Sequence, residues 1–222
     1  DKSISHRAVI LNGIARGNAE VRNFVRSADC LATVACMPAL GVEIASIKRG
    51  GLSIKGVGDR GLREAEDVLS AENSATTMRL LAGLLAAQPF FSVISGDESL
   101  QSRPMDRVIH PLRLMGAQIW GRHGDSRAPL AIKGGQLHGI RYTLPVASAQ
   151  LKSALLIAAL FAQGDTVIKE QMPSRDHTER MLKAMGAEIK ITGDTITVSP
   201  SRLRAIDVAV PGDISSAAFW LV

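Results

Sequence analysis

Short polar side chains recur at three points where long helices are predicted to begin. The first point carries Lys2 and Ser3, the second carries Asn73 and Thr76, and the third spans residues 148–150 (SAQ). A helix N-terminus has unpaired backbone N–H groups and a partial positive charge, so it attracts anions. Ordinary helix capping uses the same residue types, and this simpler explanation stays open for any one of the three points.

A second set of predicted helices begins beside arginine residues. These helices start near Arg26-Ser27, Ser102-Arg103-Pro104 and Ser174-Arg175-Asp176. A guanidinium group presents a forked pair of donors that matches a phosphate or a carboxylate. We expect an anion-binding face if the tertiary structure brings both sets of helix starts together.

The elements that must position these residues form an internal repeat. A helix closed by glycine and followed by a strand occurs at Gly41, Gly116 and Gly186. Before each of these lies a longer helix, predicted over residues 3–15, 73–87 and 148–162. The repeated unit is strand–helix–strand–helix–strand–strand, about 70 residues long. Because the second and third long helices are apolar almost all round, we predict an α+β fold of three βαβαββ repeats, with helices inside and sheets outside.

The repeat also predicts the domain organisation. Residues 1–204 form one domain, with repeats at about 1–60, 61–136 and 137–204. The strand that would precede the first long helix lies before Asp1. Residues 206–210 look like the start of a fourth copy, so we predict that residues 205–222 begin a second domain.

Composition excludes several classes of protein. The chain has 222 residues, 46% of them apolar, and a net charge of +5, which favours anionic partners. The basic residues are scattered without interleaved aromatics, so no nucleic-acid partner is expected. No apolar run reaches the roughly 18 residues of a membrane helix. The cysteines, Cys30 and Cys36, fit neither a disulfide framework nor a zinc site, and a cytoplasmic location is expected.

Three local patterns offer other chemistry. Residues 56–61 (GVGDRG) match a dinucleotide-binding pattern, but a charged segment follows instead of an apolar helix. Ser148 and Lys152 are spaced like a nucleophile and its base, without any supporting oxyanion motif. The histidines lack metal-ligand spacing, although His177 lies close enough to Arg175 to reach a ligand. We therefore expect no metal and no cofactor.

Five motifs, in order along the chain, resemble those of the 5-enolpyruvylshikimate-3-phosphate synthases. They are residues 1–8 (DKSISHRA), 73–80 (NSATTMRL), 102–105 (SRPM), 148–154 (SAQLKSA) and 174–179 (SRDHTE). Residues 211–217 (PGDISSA) are similar to the start of that family's other domain. The resemblance runs from residue 1 to residue 222.

The resemblance implies a two-domain transferase of the shikimate pathway, which leads to chorismate and the aromatic amino acids. Such enzymes move the enolpyruvyl group of phosphoenolpyruvate onto the 5-hydroxyl of shikimate 3-phosphate without a metal or cofactor. This chain would supply one half of the active-site cleft and be inactive alone. The parent enzyme would be a monomer, and the missing second domain would carry the catalytic carboxylates.

The resemblance also assigns roles to individual residues. Lys2 would be catalytic and touch both substrates. The other residues that would bind shikimate 3-phosphate are Ser3, Arg7, Ser148, Gln150, Ser174 and Arg175. The other residues that would form the phosphoenolpyruvate site are Asn73, Ala75, Thr76, Arg103 and Gln150.

Two positions depart from the pattern of many members. Ala75 stands where many carry glycine, and its methyl group would intrude on the phosphoenolpyruvate pocket. Members with alanine resemble a class that tolerates glyphosate, so weak glyphosate inhibition is expected. Ala149 stands where some members carry serine, so one contact to shikimate 3-phosphate is expected to be lost.

Three alternatives remain. A UDP-N-acetylglucosamine enolpyruvyl transferase shares the repeat, but typically has asparagine after the lysine, where this chain has Ser3, and a cysteine in a glycine-rich loop. An RNA-binding or RNA-processing repeat protein of related architecture would fit the basic balance. The isolated chain would also serve as a half-site binding module that cannot close over its ligand.

Overall fold

The computed structural model describes residues 1–218. In chain order its helices are α1 (Lys2–Gly13), α2 (Ala28–Ala39), α3 (Ala75–Ala86), α4 (Glu98–Gln101), α5 (Asp106–Leu114), α6 (Arg122–Asp125), α7 (Ala149–Ala159), α8 (His177–Ala184) and α9 (Ile214–Ala217). Its strands are β1 (Arg16–Arg22), β2 (Glu43–Ser46), β3 (Leu52–Val57), β4 (Leu69–Ser70), β5 (Phe91–Ser95), β6 (Gln118–Gly121), β7 (Arg127–Lys133), β8 (Arg141–Leu144), β9 (Thr166–Glu170), β10 (Ile189–Thr192), β11 (Thr195–Val198) and β12 (Val208–Ala209).

The three long helices α1, α3 and α7 form the interior. Nearly every residue of α3 and α7 is buried, and α1 is buried from Ser5 onward. The strands instead alternate between buried and exposed positions, as in β7, which is typical of a sheet with one face in the core. The predicted arrangement of helices inside and sheets outside is therefore confirmed.

The second and third repeats each form one four-stranded sheet. The second sheet has the order β4-β5-β7-β6 and the third has the order β8-β9-β11-β10. In both, the strand before the long helix pairs in parallel with the strand after it, and the remaining pairs are antiparallel. The long helix is thus a crossover that places its N-terminus at one end of the sheet.

The first sheet is completed from the far end of the chain. Its order is β12-β1-β3-β2, and β12 pairs in parallel with β1 through Val21 and Val208. Asn12 Oδ1 also accepts a hydrogen bond from the backbone N–H of Ile206, at 3.0 Å. Residues 206–210 therefore belong to the first sheet and not to a second domain, because β12 occupies the edge that β4 and β8 occupy in their repeats. For the residues that follow, the assignment to a second domain stays a prediction, and residues 219–222 lie outside the described part of the chain.

The predicted glycine-closed helices are present in all three repeats. Gly41, Gly116 and Gly186 have φ values of +97°, +102° and +87°, which end α2, α5 and α8 in the left-handed conformation. This conformation costs glycine little, because glycine has no Cβ. Each of these helices is followed by an antiparallel pair of strands, so the three repeats direct their helix starts in equivalent ways.

Across residues 1–218, no helix combines the length and the apolar character needed to cross a membrane.

Candidate functional site

The three long helices begin with equivalent caps. The side chains of Asp1, Ser74 and Ser148 each accept a hydrogen bond from the backbone N–H three residues later, at 3.0, 3.1 and 3.3 Å. The capping interpretation is thus correct for these side chains, and α1 begins one residue earlier than predicted. The equivalence places Ser3, Thr76 and Gln150 at the second helical position, where predicted ligand residues occur in every repeat.

A cleft of about 480 Å³ lies at the start of α7. Four residues predicted to bind shikimate 3-phosphate line it: Ser148, Gln150, Ser174 and Arg175. Arg175 also donates a hydrogen bond to the hydroxyl of Ser3, at 3.3 Å, which joins the start of α1 to the cleft. Residues distant in the sequence therefore come together around one open cleft.

Gln150 connects this cleft to the start of α3. Its Nε2 donates to the hydroxyl of Thr76 at 2.8 Å, and its Oε1 accepts from Arg79. Arg79 also donates to the carbonyl of Pro104 at 3.0 Å. Thr76 and Gln150 are therefore brought together as predicted, and Arg79 ties both helices to the loop that carries Arg103.

Arg103 and Asn73 form a second cluster beside the start of α3. The guanidinium of Arg103 donates to Asn73 Oδ1 at 2.7 Å, and Asn73 Nδ2 donates to Asp97 at 2.7 Å. The hydrogen bond from Asn73 is the main cause of the lowered pKa of Asp97. Because the ionised carboxylate only accepts hydrogen bonds, it directs the Asn73 oxygen toward Arg103.

Lys2 lies at the first position of α1, directly before Ser3. Its ammonium forms an exposed ion pair with Asp29 of α2, at 3.0 Å. The hydrogen bond to Asp29 is the largest cause of the raised pKa of Lys2, so the side chain is protonated and positively charged at neutral pH. Its predicted contact with both substrates stays a prediction.

Arg7 is enclosed beneath the cleft. Its guanidinium donates to the Ser3 carbonyl, the Ser153 hydroxyl and the Thr178 hydroxyl, each at 2.7 Å. Only 2% of the residue is exposed, and burial is the main cause of the lowering of its pKa to about 10. Arg7 therefore connects Ser3 of α1 with Thr178 of α8 inside the protein. Its predicted contact with a ligand stays a prediction.

Cations are concentrated around the two clusters. The pKa of Arg79 is lowered mainly by burial and further by the neighbouring charges of Arg107 and Arg103. The pKa of His177, the first residue of α8, is lowered mainly by burial and further by Arg7 and Arg175 among the charged groups around it. Like charges held this close repel one another, and an anion that binds between them relieves the repulsion.

The two alanines are the first residues of their helices. Ala75 is only 7% exposed and packs into the core, while Ala149 lines the cleft. Both follow a capping serine, so the methyl groups occupy matching positions in the second and third repeats.

Two other patterns from the sequence have no place in this site. A dinucleotide-binding site requires a helix that begins at the last glycine of the pattern. Residues 61–68 are irregular instead, so residues 56–61 do not form such a site. The Lys152 ammonium binds Glu170 and Glu179 rather than Ser148, which removes it as a base for that serine. A larger cavity, of about 710 Å³, lies beyond the C-terminal ends of α3 and α7 and contains none of the predicted site residues.

Sequence reasoning did not assign roles to several residues that hold the site together. They are Arg79, Asp97, Glu170, Thr178 and Glu179, and the base role considered for Lys152 differs from the one it has. Arg79, Thr178 and Glu179 lie inside motifs of the sequence, which offered a signal. Asp97 and Glu170 precede the site by several residues along the chain, and only the folded loops reveal their contacts.

Comparison with known proteins agrees with this geometry. The curated relatives include proteins named 3-phosphoshikimate 1-carboxyvinyltransferase from Chloroflexus aggregans and Desulforudis audaxviator, at 58% and 57% identity. Each alignment covers the whole chain and 52% of the relative, so the chain spans about half the length of the curated relatives it matches.

Solved structures show the same relationship. A structure of EPSP synthase from Acinetobacter baumannii superposes with a TM-score of 0.95 and is 48% identical. The match covers all of this chain and 50% of that one. A family model described as EPSP synthase (3-phosphoshikimate 1-carboxyvinyltransferase) matches residues 1–222. The chain therefore belongs to the EPSP synthase family.

Proposed function

We propose that this chain supplies one half of the active-site cleft of a 3-phosphoshikimate 1-carboxyvinyltransferase. The observation that carries the proposal is the single cleft lined by Ser148, Gln150, Ser174 and Arg175. The hydrogen bond between Gln150 and Thr76 connects it to the Arg103 cluster. Two neighbouring anion-binding clusters are what a reaction between two phosphorylated substrates requires.

Shikimate 3-phosphate would bind in the cleft at the start of α7. The Ser148 hydroxyl would donate to its phosphate oxygens, and Arg175 would provide charge-assisted hydrogen bonds. Arg175 also reaches Ser3, which would bring the start of α1 to the same ligand. Phosphoenolpyruvate would lie beside Arg103, with Asn73 holding that guanidinium in place.

The reaction would then proceed by addition and elimination. The 5-hydroxyl would lose its proton to a base as its oxygen bonds to carbon 2 of phosphoenolpyruvate, and an acid would add a proton to carbon 3 in place of the double bond, which gives a tetrahedral intermediate. Loss of a proton from carbon 3 and of phosphate from carbon 2 restores the double bond. Fixed cations such as Lys2 and Arg103 would stabilise the charge that develops on phosphate. The remaining groups, including the catalytic carboxylates, would come from the second half of the protein.

The family match favours shikimate 3-phosphate over UDP-N-acetylglucosamine as the acceptor. The proposed partners are the two small anionic substrates and the second domain, with no nucleic acid or membrane partner and no cofactor. A monomeric parent enzyme in the cytoplasm stays a prediction.

The test is phosphate release by the full-length protein that contains this chain. We expect release with phosphoenolpyruvate and shikimate 3-phosphate together, and none when UDP-N-acetylglucosamine replaces the shikimate compound. The reverse preference would contradict the proposal. A titration of the 222-residue chain alone with shikimate 3-phosphate, followed by amide chemical shifts, would show whether the half-site is formed before the second half closes. Shifts at Ser3, Ser148 and Arg175 would indicate a formed half-site.

A further inference from the structure

The loop that carries Ser174 and Arg175 is anchored from inside the protein. It connects β9, which ends at Glu170, to α8, which begins at His177. Both residues of interest face the cleft described above. The position of their side chains therefore depends on what fixes the two ends of this loop.

A buried lysine binds both ends. Lys152, in the second turn of α7, is 1% exposed. Its ammonium lies 2.8 Å from Glu170 at the end of β9 and 2.6 Å from Glu179 in the first turn of α8. A single side chain thus joins the last residue before the loop to the first turn after it.

One of these carboxylates continues to the ligand residues. Glu170 accepts a hydrogen bond from the hydroxyl of Ser174, at 2.7 Å, through its other oxygen. The order of contacts is therefore Lys152 to Glu170 to Ser174. The Glu170 carboxylate accepts hydrogen bonds from both Lys152 and Ser174, so it fixes the position of the loop relative to α7.

The cluster depends strongly on its lysine. Glu179 is buried, and its second oxygen has no hydrogen-bond partner among residues 1–218. Burying an unpaired charge is unfavourable, so Lys152 compensates the buried carboxylate of Glu179 as well as the partly exposed carboxylate of Glu170. Arg7 of α1 is also close enough for the charge of Glu179 to raise its pKa, against the larger lowering by burial.

We propose that Lys152 is a positioning residue for shikimate 3-phosphate binding, acting through Glu170 on Ser174 and Arg175. The inference rests on the function proposed above. It predicts an effect on shikimate 3-phosphate binding and not on phosphoenolpyruvate binding, because Lys152 holds only the loop between β9 and α8 in the third repeat. The Arg103 cluster of the second repeat has its own support in Asn73 and Asp97.

The main test is the double variant Lys152→Met/Glu179→Gln in the full-length protein that contains this chain. Removing the charge of Glu179 together with that of Lys152 avoids an uncompensated buried carboxylate, so folding is preserved. Glu170 then loses its anchor while Ser174 and Arg175 stay intact. We expect KM for shikimate 3-phosphate to rise about tenfold and KM for phosphoenolpyruvate to change less than about twofold.

Two further variants complete the test. Glu170→Gln keeps an acceptor for Ser174 but loses the charge that binds Lys152, and it should raise the same KM in the same direction. Lys169→Met makes the same lysine-to-methionine change one residue from Glu170 in an exposed pair with Asp194, and should leave both constants unchanged.

The outcomes distinguish a wrong function for the protein from a wrong role for Lys152. If the unmodified protein does not use shikimate 3-phosphate, the proposed function fails. If the unmodified protein uses it, and the Glu170 variant and the double variant fold with an unchanged KM for shikimate 3-phosphate, the cluster only stabilises the fold and the positioning role is wrong. An equal rise in both KM values would likewise contradict the separation between the substrates.

Discussion

The guanidinium of Arg103 donates a 2.7 Å hydrogen bond to the amide oxygen of Asn73, thirty positions earlier in the chain. The amide nitrogen of Asn73 donates in turn to Asp97, at 2.7 Å. A guanidinium that is already oriented loses less conformational freedom when it binds a phosphate. The two hydrogen bonds would therefore orient Arg103 before the proposed phosphoenolpyruvate ligand binds.

Substituting Asp97 tests whether the Asn73 amide orients Arg103 for ligand binding. Asp97→Ala removes the acceptor that fixes the orientation of the Asn73 amide, and also the cap of α4. We expect KM for phosphoenolpyruvate to rise about five- to tenfold in the full-length protein, while KM for shikimate 3-phosphate stays within about twofold. Steady-state kinetics with each substrate varied in turn provide the measurement. Asp194→Ala, on the β10–β11 hairpin, is the control, and a similar effect there would contradict the explanation.

Replacing Ala75 tests the prediction that glyphosate inhibits the full-length protein only weakly. Ala75→Gly removes the methyl group that would crowd the phosphoenolpyruvate pocket, so glyphosate should inhibit the full-length enzyme more strongly. The cost in stability should be about 1 kcal/mol or less, because glycine is a poorer helix residue than alanine. Inhibition curves at fixed phosphoenolpyruvate concentration measure the change. Ala149→Gly removes a methyl group at the matching position of α7, and unchanged inhibition in that variant would show that the effect is local.

His6 predicts a pH dependence of stability. It donates to or accepts from Thr33 in the interior, at 2.7 Å, and burial is the main cause of the lowering of its pKa to about 4. In the unfolded chain the same imidazole takes up a proton near pH 6.5. The unfolded state therefore binds more protons in this range, and His6 reduces stability as the pH falls from about 6.5 to about 4. The complete loss amounts to about 3 kcal/mol, since one pKa unit corresponds to about 1.4 kcal/mol.

Urea unfolding of the chain between pH 4.5 and pH 7.5 measures this loss. The variant His6→Asn keeps a polar group near Thr33 but does not titrate in this range. We expect the free energy of unfolding to fall more steeply with decreasing pH in the unmodified chain than in the variant. Parallel curves for the two proteins would show that His6 does not contribute.

The contact between α3 and α7 predicts a strict requirement for glycine. A Cβ at Gly83 would lie 2.2 Å from the carbonyl oxygen of Ala154, and backbone atoms cannot move aside without separating the helices. We expect Gly83→Ala to lower the free energy of unfolding by about 3 kcal/mol or more. Thermal or urea unfolding provides the measurement. Gly135→Ala has no heavy atom within 4 Å of the added carbon and should change stability by less than about 1 kcal/mol.

Local features of the fold were predictable from the sequence for a physical reason. The glycines that end α2, α5 and α8, the capping residues, and the hairpin around Gly193 and Asp194 depend on neighbours within a few positions. The apolar character of α3 and α7 likewise predicted their burial. The ordered motifs predicted the family, because each combines several residues at fixed spacing.

Contacts between distant segments were decided by the tertiary structure. Residues 206–210 resembled the start of another domain, yet β12 pairs with β1, because an unfilled sheet edge accepts any strand with free backbone groups. The resemblance implied Arg7 as a ligand residue, and only the packing of α1 against α7 and α8 showed that its guanidinium is enclosed by Ser153 and Thr178.

The sequence by itself determined the three repeats, the polar starts of the long helices and the family of the protein. The tertiary structure decided how those helix starts are connected: Gln150 to Thr76, Arg103 to Asn73, and Lys152 to the loop of Ser174. Capping and periodicity act over one or two helical turns, so a sequence encodes them directly. The hydrogen bond between Gln150 and Thr76 spans 74 positions and forms only when α3 packs against α7, because its two partners belong to different repeats.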